Sequence, residues 1–503
     1  MKTKMKYIAA CAAALAFFSC DLKPHDTGSR GIIQLGADSR AAGARFAVDT
    51  TEAETQLRYE ITFSGPEETR IIEIPAGSAL RCKVEVIPGD WTVTIRASGP
   101  PPAVYTPAYF PAEMLRAWGT TSVRVQAGQT SPATVTLRTA TEVSDINQLN
   151  EAITNISARE ELIFVTADIA TPALTMTAPA LSGKSISIQG IGSPTPEISL
   201  TGTGSLFTVG DTTTPNITLT LGNITLRGVA SNNNSLLWID GGHLVMNTGA
   251  TVTGNGLTTS SIFPTVAPHG GGITIAGAGT FIMNGGEIWN NSFTSHTHDY
   301  NGAGGVGIRD DSSFTMNGGI IRNNTGTSAH SNGVAGGISG GGGGNNIFFM
   351  NNGEIKDNTA SGTWFQCGIA GGVVADIMEM HGGTISGNQG TSSASSGGTG
   401  GGIYVEISFL MTGGEISSNI ATHTGTLAGG GIRVIGTATL QKLSTGGTIS
   451  GADAPTTLQN TANGSGNAAS IGPWTSITER RTNTVAPTDA MDSTIPGPPG
   501  GWD

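Results

Sequence analysis

An all-β chain is predicted, with a small β-sandwich followed by a long parallel β-solenoid, and three observations predict it. The 503 residues include 75 glycines but only 12% charged and 6% aromatic residues, a composition of many turns and short strands rather than of a charged disordered chain. Apolar and polar residues alternate between residues 57 and 137, the period of half-buried strands. Beyond residue 246 one phrase returns at nearly constant spacing, which signals stacked structural repeats.

Taken in order, the chain opens with Lys2, Lys4 and Lys6 before an apolar run from Tyr7 to Phe18. That run is too short for a permanent membrane span and has the form of a signal-peptide core. It ends in Phe17-Phe18-Ser19-Cys20. This segment resembles a bacterial lipoprotein signal, and the resemblance implies cleavage before Cys20, lipidation of Cys20 as the first mature residue, and residence in the cell envelope at the outer membrane or cell surface. Residues 21–44 contain Pro24 and several glycines and are expected to form a flexible tether.

Residues 45–140 are expected to form the sandwich. Leu57, Tyr59, Ile61 and Phe63 alternate, as do Val84 and Val86, then Trp91, Val93 and Ile95 after the turn Pro88-Gly89-Asp90. The run from Ile87 to Ile95 and the segment Val125-Gln126-Ala127-Gly128-Gln129-Thr130 are similar to strands and turns of Ig-like or carboxypeptidase-regulatory-like sandwiches. Trp91 and Trp118 are read as packing aromatics. Cys82 and Cys367 fall in different predicted domains and Cys11 and Cys20 in the targeting segment, so no disulfide framework is expected.

From residue 141 to 481 a different texture begins. Val143, Ile146, Leu149, Ile153 and Ile156 lie on one face of a short helix, and apolar strands follow at Leu162–Val165 and Ser185–Ile188. Helix, strand and the segment Lys184–Gly190 together resemble the entry of a right-handed parallel β-helix of the pectin-lyase type. The repeats carry the array: MNTGATVTGN at Met246, MNGGEIWNN at Met283, MNGGIIRNN at Met316, MNNGEIKDN at Met350, MHGGTISGN at Met380 and MTGGEISSN at Met411. Successive methionines are 37, 33, 34, 30 and 31 residues apart. Preceding most copies is a Gly-Gly-Ile/Val motif, as in Gly336-Gly337-Ile338.

Phe281 and Met283 are two residues apart, as are the pairs ending at Met316, Met350 and Met411, so each pair points to one face of its strand. Ile288, Ile321, Ile355, Ile385 and Ile416 follow at an odd step, which requires the intervening glycines to turn the chain. Three residues later come Asn291, Asn324, Asn358, Asn388 and Asn419, expected to stack as an amide ladder. At about 33 residues per coil, roughly ten coils and a rod on the order of 50 Å are expected. Residues 292–303, 325–335, 359–369 and 389–400 are expected as protruding loops, and residues 482–503 as a disordered tail.

Net charge is −12 and concentrated beyond residue 141, which argues against nucleic-acid partners. A glycosidase pair would have to use Asp310 or Asp311 with a carboxylate from another coil. Lyase chemistry would have to draw on Arg309, Arg322, Lys356 and Arg433, which have no acidic calcium cluster beside them. His296 and His298 with Asp299 have the types but not the number of ligands for zinc. Gly304–Asp310 lacks a recurring calcium motif, and Gly341–Gly344 is not followed by the residues of a phosphate loop. No catalytic, metal or cofactor site is therefore predicted. The expectation is a non-catalytic lipoprotein with an adhesin-like or structural role, partnered by the membrane and by host or matrix proteins or polysaccharides. The alternatives are a polysaccharide-active enzyme, or a glycan binder using Trp289, Trp364 and Tyr404.

Overall fold

The computed structural model describes residues 30–36, 56–78, 80–156, 158–211, 216–259, 269–295, 302–328, 333–341, 345–363, 368–393, 398–424, 428–434, 439–442, 447–450, 459–462, 465–466 and 469–471. By its internal contacts the chain divides into two compact units, Met1–Phe164 and Val165–Asp503. Cys20, the segment His296–Asp299, Trp364 and the predicted tail lie outside the described residues.

The first unit is built from β1 (Gly31–Gly36), β2 (Arg58–Ser64), β3 (Thr69–Ile74), β4 (Arg81–Val86), β5 (Gly89–Gly99), β6 (Met114–Val125), β7 (Thr130–Ala133) and β8 (Arg138–Val143). β1 lies between antiparallel β4 and parallel β7. The other sheet runs antiparallel in the order β3-β2-β5-β6-β8. Ile33, Val84 and Val86 from one sheet share a core with Ile61, Phe63, Trp91, Val93 and Ile95 from the other. Part of the expected tether is thus a strand, because Ile33 and Leu35 alternate with Ile32 and Gln34 and bury their face in that core. Trp91 is 1% exposed and donates its indole N–H to the Ile87 carbonyl at 2.9 Å, while Trp118 packs edge-on against Phe164. Both tryptophans are packing residues.

The predicted helix is α1 (Ile146–Thr154), capped by the Asp145 carboxylate, which accepts from the Asn147 and Gln148 amides. It buries Leu149, Ala152 and Ile153 and packs beside β8. Contacts therefore carry the first unit to Phe164, beyond the expected boundary at residue 140.

The second unit is a parallel β-solenoid of about seven turns. One turn shows the plan: Val306–Ile308 and Ser313–Met316 form the front wall, Ile320–Arg322 the side wall, Thr325–Ser328 an outgoing arm strand and Gly333–Ala335 a returning one. Gly336-Gly337 then leads into the next front-wall strand, Ile338–Gly340. Each strand pairs in parallel with its counterpart one turn on, as Phe314 does with Phe348 and Ile321 with Ile355. The side wall stacks ten strands, and seven outgoing arm strands stack in parallel from Gly256–Thr259 to Thr461–Ala462. The early side-wall strands come from shorter coils without arms, so division of length by a single period overcounts full turns.

The described parts of residues 292–303, 325–335, 359–369 and 389–400 are arm strands rather than the expected loops. Their Ser, Thr and Gly content suits close packing of backbones: a Cβ on Gly326 would meet the Ala335 carbonyl at 2.1 Å. Leu257, Phe293, Val334, Ala360 and Ile369 pack between outgoing and returning strands. Ala303, Ala335 and Ala370 of the returning strands pack with Val374 and Tyr404 of the front wall. The arm thereby covers part of that wall's outer face.

Inside the solenoid, Phe281 stacks on Phe314 at 4.4 Å and Phe314 on Phe348 at 5.0 Å between ring centroids. Ile288, Ile321, Ile355, Ile385 and Ile416 are all 0% exposed. The turn between wall strands depends on the second glycine of each pair. Gly319 sits at φ +90, and a Cβ there would lie 2.5 Å from the Met283 methyl and 2.8 Å from the Gly286 carbonyl.

The asparagine ladder forms as expected and is longer. Asn291, Asn324, Asn358, Asn388 and Asn419 are each at most 1% exposed, and Asn255 and Asn460 extend the run in both directions. From Asn324 to Asn460 the Oδ1 of each rung accepts twice. The Asn358 Oδ1 takes the Asn324 backbone N–H and side-chain N–H, both at 3.0 Å, while the Asn358 amide donates to the Ile321 carbonyl at 2.9 Å and to the Asn388 Oδ1 at 3.0 Å. The preceding residues, Asn290, Asn323, Asp357 and Ser418, take left-handed φ values between 53 and 59 that turn each ladder residue inward. A second, exposed ladder links Asn247, Asn284, Asn317 and Asn351.

Asn358→Ala is expected to cost about 3 kcal/mol or more, since it strands buried donors and acceptors in two adjacent turns. Asn317→Ala on the exposed ladder is expected to cost under about 0.5 kcal/mol, because water replaces its partners. Denaturant titration of both variants compares the two ladders directly.

Candidate functional site

Outward positions along a front-wall strand alternate with core positions, so Leu237 and Ile239 point in while Trp238 and Asp240 point out. Asp240 stands opposite Ala276 one turn on, and Ile275 opposite Ile308 the turn after. Arg309 and Asp310 follow Ile308 directly, which brings them to the same edge of the wall as Asp240. His269 begins the first returning arm strand, His269–Gly270. Trp238, Asp240 and His269 of one turn thus meet Arg309 and Asp310 from two turns further along the chain.

Arg309 holds it together. It is 8% exposed, its Nε donates to the Asp310 Oδ2 at 2.9 Å, and its Nη1 lies 3.3 Å from the His269 Nε2. The guanidinium carbon is 5.8 Å from the Trp238 ring centroid, and the Trp238 and His269 rings are 5.7 Å apart. Because arginine only donates, Nε2 must be the acceptor and Nδ1 carries the proton of a neutral imidazole. Burial, reinforced by the Arg309 charge, pushes His269 down to about 4. Burial also raises the Asp240 carboxyl above the ordinary carboxylate range. Asp310 and Asp211 push it further up and Arg309 partly offsets them. A carboxyl raised by burial, within electrostatic reach of a second carboxylate, is the kind of arrangement from which acid–base division of labour can be built.

Asp310 and Asp311 occupy an exposed turn at φ 56 and 58. Asp310 is paired to Arg309, and Asp311 accepts the Asn345 N–H at 3.2 Å. The four cations on which lyase chemistry would draw fall into two groups. Arg322 and Lys356 are in register on the outer side wall, whereas Arg309 and Arg433, 8% and 2% exposed, lie on the front wall under the arm. Tyr404, expected as a stacking platform, is 3% exposed within the arm-facing apolar cluster and presents no ring to solvent. Trp289 does face outward and is half-buried. Among the described residues no three His, Cys, Asp or Glu side chains are placed to hold a metal ion, and no helix is long and apolar enough to cross a membrane.

Sequence reasoning reached Asp310 but missed Trp238, Asp240 and His269. Alternation through Leu237-Trp238-Ile239-Asp240 was the available signal for two of them. His269 had none, since only the stacking of the arm strand His269–Gly270 beneath Gly302–Ala303 places it.

His269 binds its proton more weakly folded than unfolded, so its contribution to stability is present above the unfolded pKa of about 6.5 and is lost as pH falls through that value toward 4. Asp240, raised on folding, acts with the opposite sign as it protonates. His269→Gln is therefore expected to reduce the drop in unfolding free energy between pH 7 and pH 4, by up to on the order of 3 kcal/mol. Paired denaturation curves at the two pH values measure the difference. The chain matches no protein-family model, no curated protein and no solved structure, which leaves its own side chains as the ground for a functional reading.

Proposed function

We propose that this is a non-catalytic, lipid-anchored envelope protein whose solenoid displays a binding face, in an adhesin-like or structural role. The observation that supports it most is the register of the side wall. Ten strands stacked in parallel set outward side chains in columns whose spacing is fixed by backbone hydrogen bonding. Binding surfaces built on such strands are more rigid than surfaces built on loops. The basic start, apolar run and Cys20 support the anchor, which would hold the solenoid to a membrane through acyl chains. Cys20→Ser is expected to abolish incorporation of labelled fatty acid and to move the protein from the membrane fraction to the soluble fraction.

A second reading, a polysaccharide-active enzyme, is favoured by one observation, the raised carboxyl of Asp240 beside Asp310. The Arg309 ion pair that ties Asp310 into the turn weighs against a mobile catalytic pair. Incubation of residues 21–503 with acidic and neutral polysaccharides is expected to give retention without new reducing or unsaturated ends. New ends that disappear in both Asp240→Asn and Asp310→Asn would establish the enzyme instead.

A further inference from the structure

The outer side wall carries two adjacent columns. In one, Glu197, Thr225, Thr251, Glu287, Ile320 and Glu354 succeed each other turn by turn; in the other, Arg227, Thr253, Trp289, Arg322 and Lys356 do. Ion pairs bind the columns: Arg227 to Glu197 at 2.8 Å, Arg322 to Glu287 at 3.0 Å, and Lys356 to Glu354. The Arg322 guanidinium covers one side of Trp289, 4.9 Å from the ring centroid. On the other side the column continues to Thr253 and then Arg227. Thr253 points outward by register, since Val252 points in, yet it is 1% exposed and its Oγ1 has no hydrogen-bond partner.

We propose that this stretch of the side wall binds an uncharged, extended polysaccharide, with one sugar ring stacked on Trp289 above Thr253 between the Arg227–Glu197 and Arg322–Glu287 pairs. The inference rests on the display reading and names its ligand class. A pyranose has an apolar face that suits an indole and a rim of hydroxyls that both donate and accept. The carboxylates of Glu197 and Glu287 accept from such hydroxyls, and Arg227 and Arg322 donate to them. The Thr253 Oγ1 is closed to water, so a sugar hydroxyl seated beside Trp289 supplies the partner it lacks only as the side chains covering it move aside. Because each cation is matched by a carboxylate and the whole chain carries −12, the wall offers a polyanion no uncompensated charge. Turns repeat at about 4.8 Å along the columns, close to the advance per sugar of an extended glycan. A chain lying along the solenoid axis passes the Arg227–Glu197 pair, then Trp289, then the Arg322–Glu287 and Lys356–Glu354 pairs.

The test is retention of the full-length, detergent-solubilised chain on insoluble β-1,4-glucan, β-1,3-glucan and xylan, with alginate as the anionic probe. Expected results are saturable retention on a neutral polymer that survives high salt, about tenfold weaker retention for Trp289→Ala, and near-native retention for Trp289→Phe. Thr253→Val keeps the side-chain shape and removes an unpartnered hydroxyl. It is expected to weaken retention about threefold with no loss of stability, a combination a purely structural role would not produce. Unchanged retention in Trp289→Ala, or preference for alginate that vanishes with salt, overturns the site. Absence of glycan retention in a chain that still binds whole cells or matrix protein overturns the site and leaves the display reading standing. Cleavage of the polymers overturns the display reading.

Discussion

Every coil of a parallel solenoid must turn corners, and at a corner the backbone leaves strand pairing with its amides and carbonyls still buried. The asparagine ladder resolves that difficulty. One side chain per turn accepts two N–H groups from the turn before and donates both to the next asparagine and back to a backbone carbonyl. A corner sealed in this way lets the interior stay apolar, with phenylalanine rings and methionines stacked behind it. Without it each turn would carry orphaned polar groups into the core.

Register on the outside follows from register within. Since the ladder, the glycine turn and the inward isoleucine recur in one order, side-chain identity at each outward position is set by its offset from the ladder. Trp289 and Arg322, 33 residues apart in the chain, become neighbours for that reason. The front wall works differently. There the arms fold over part of the outer face, so outward residues beneath them such as Thr274 and Tyr404 are buried while Ile282 is exposed, and the group around Arg309 centres on a buried guanidinium rather than an open surface.

What could be read from residues alone divides along the same line. Strand alternation exposed the sandwich core, and the recurring Phe, Met, Ile and Asn positions exposed the solenoid interior, because both follow from fixed periods. The arm strands stayed hidden. Their buried faces mix Gly302, Ala303, Ala335 and Gly326 with single larger residues such as Phe293, Val334 and Ile369, too few per strand to show an apolar period, so they read as loops while behaving as tightly packed strands. Asn255 and Asn460 were missed because an extra residue precedes one and a longer insertion precedes the other. The cluster at Arg309 was only half legible, since neither the sequence separation of Asp240, His269 and Arg309 nor any local motif indicates that stacking brings them together.

The two ends of the ladder differ from its middle. At one end Asn232 donates to the Asn255 Oδ1, and its own Oδ1 accepts the backbone N–H groups of Gly204, Asn233 and Asn234. At the other, the Asn460 amide turns back onto the Ser450 and Ile416 carbonyls. In the language of crystal growth, both terminal facets are passivated. A one-dimensional lattice that could add rungs is closed at its first and last unit cells, where the Asn232 and Asn460 amides are spent on carbonyls and on the neighbouring rung.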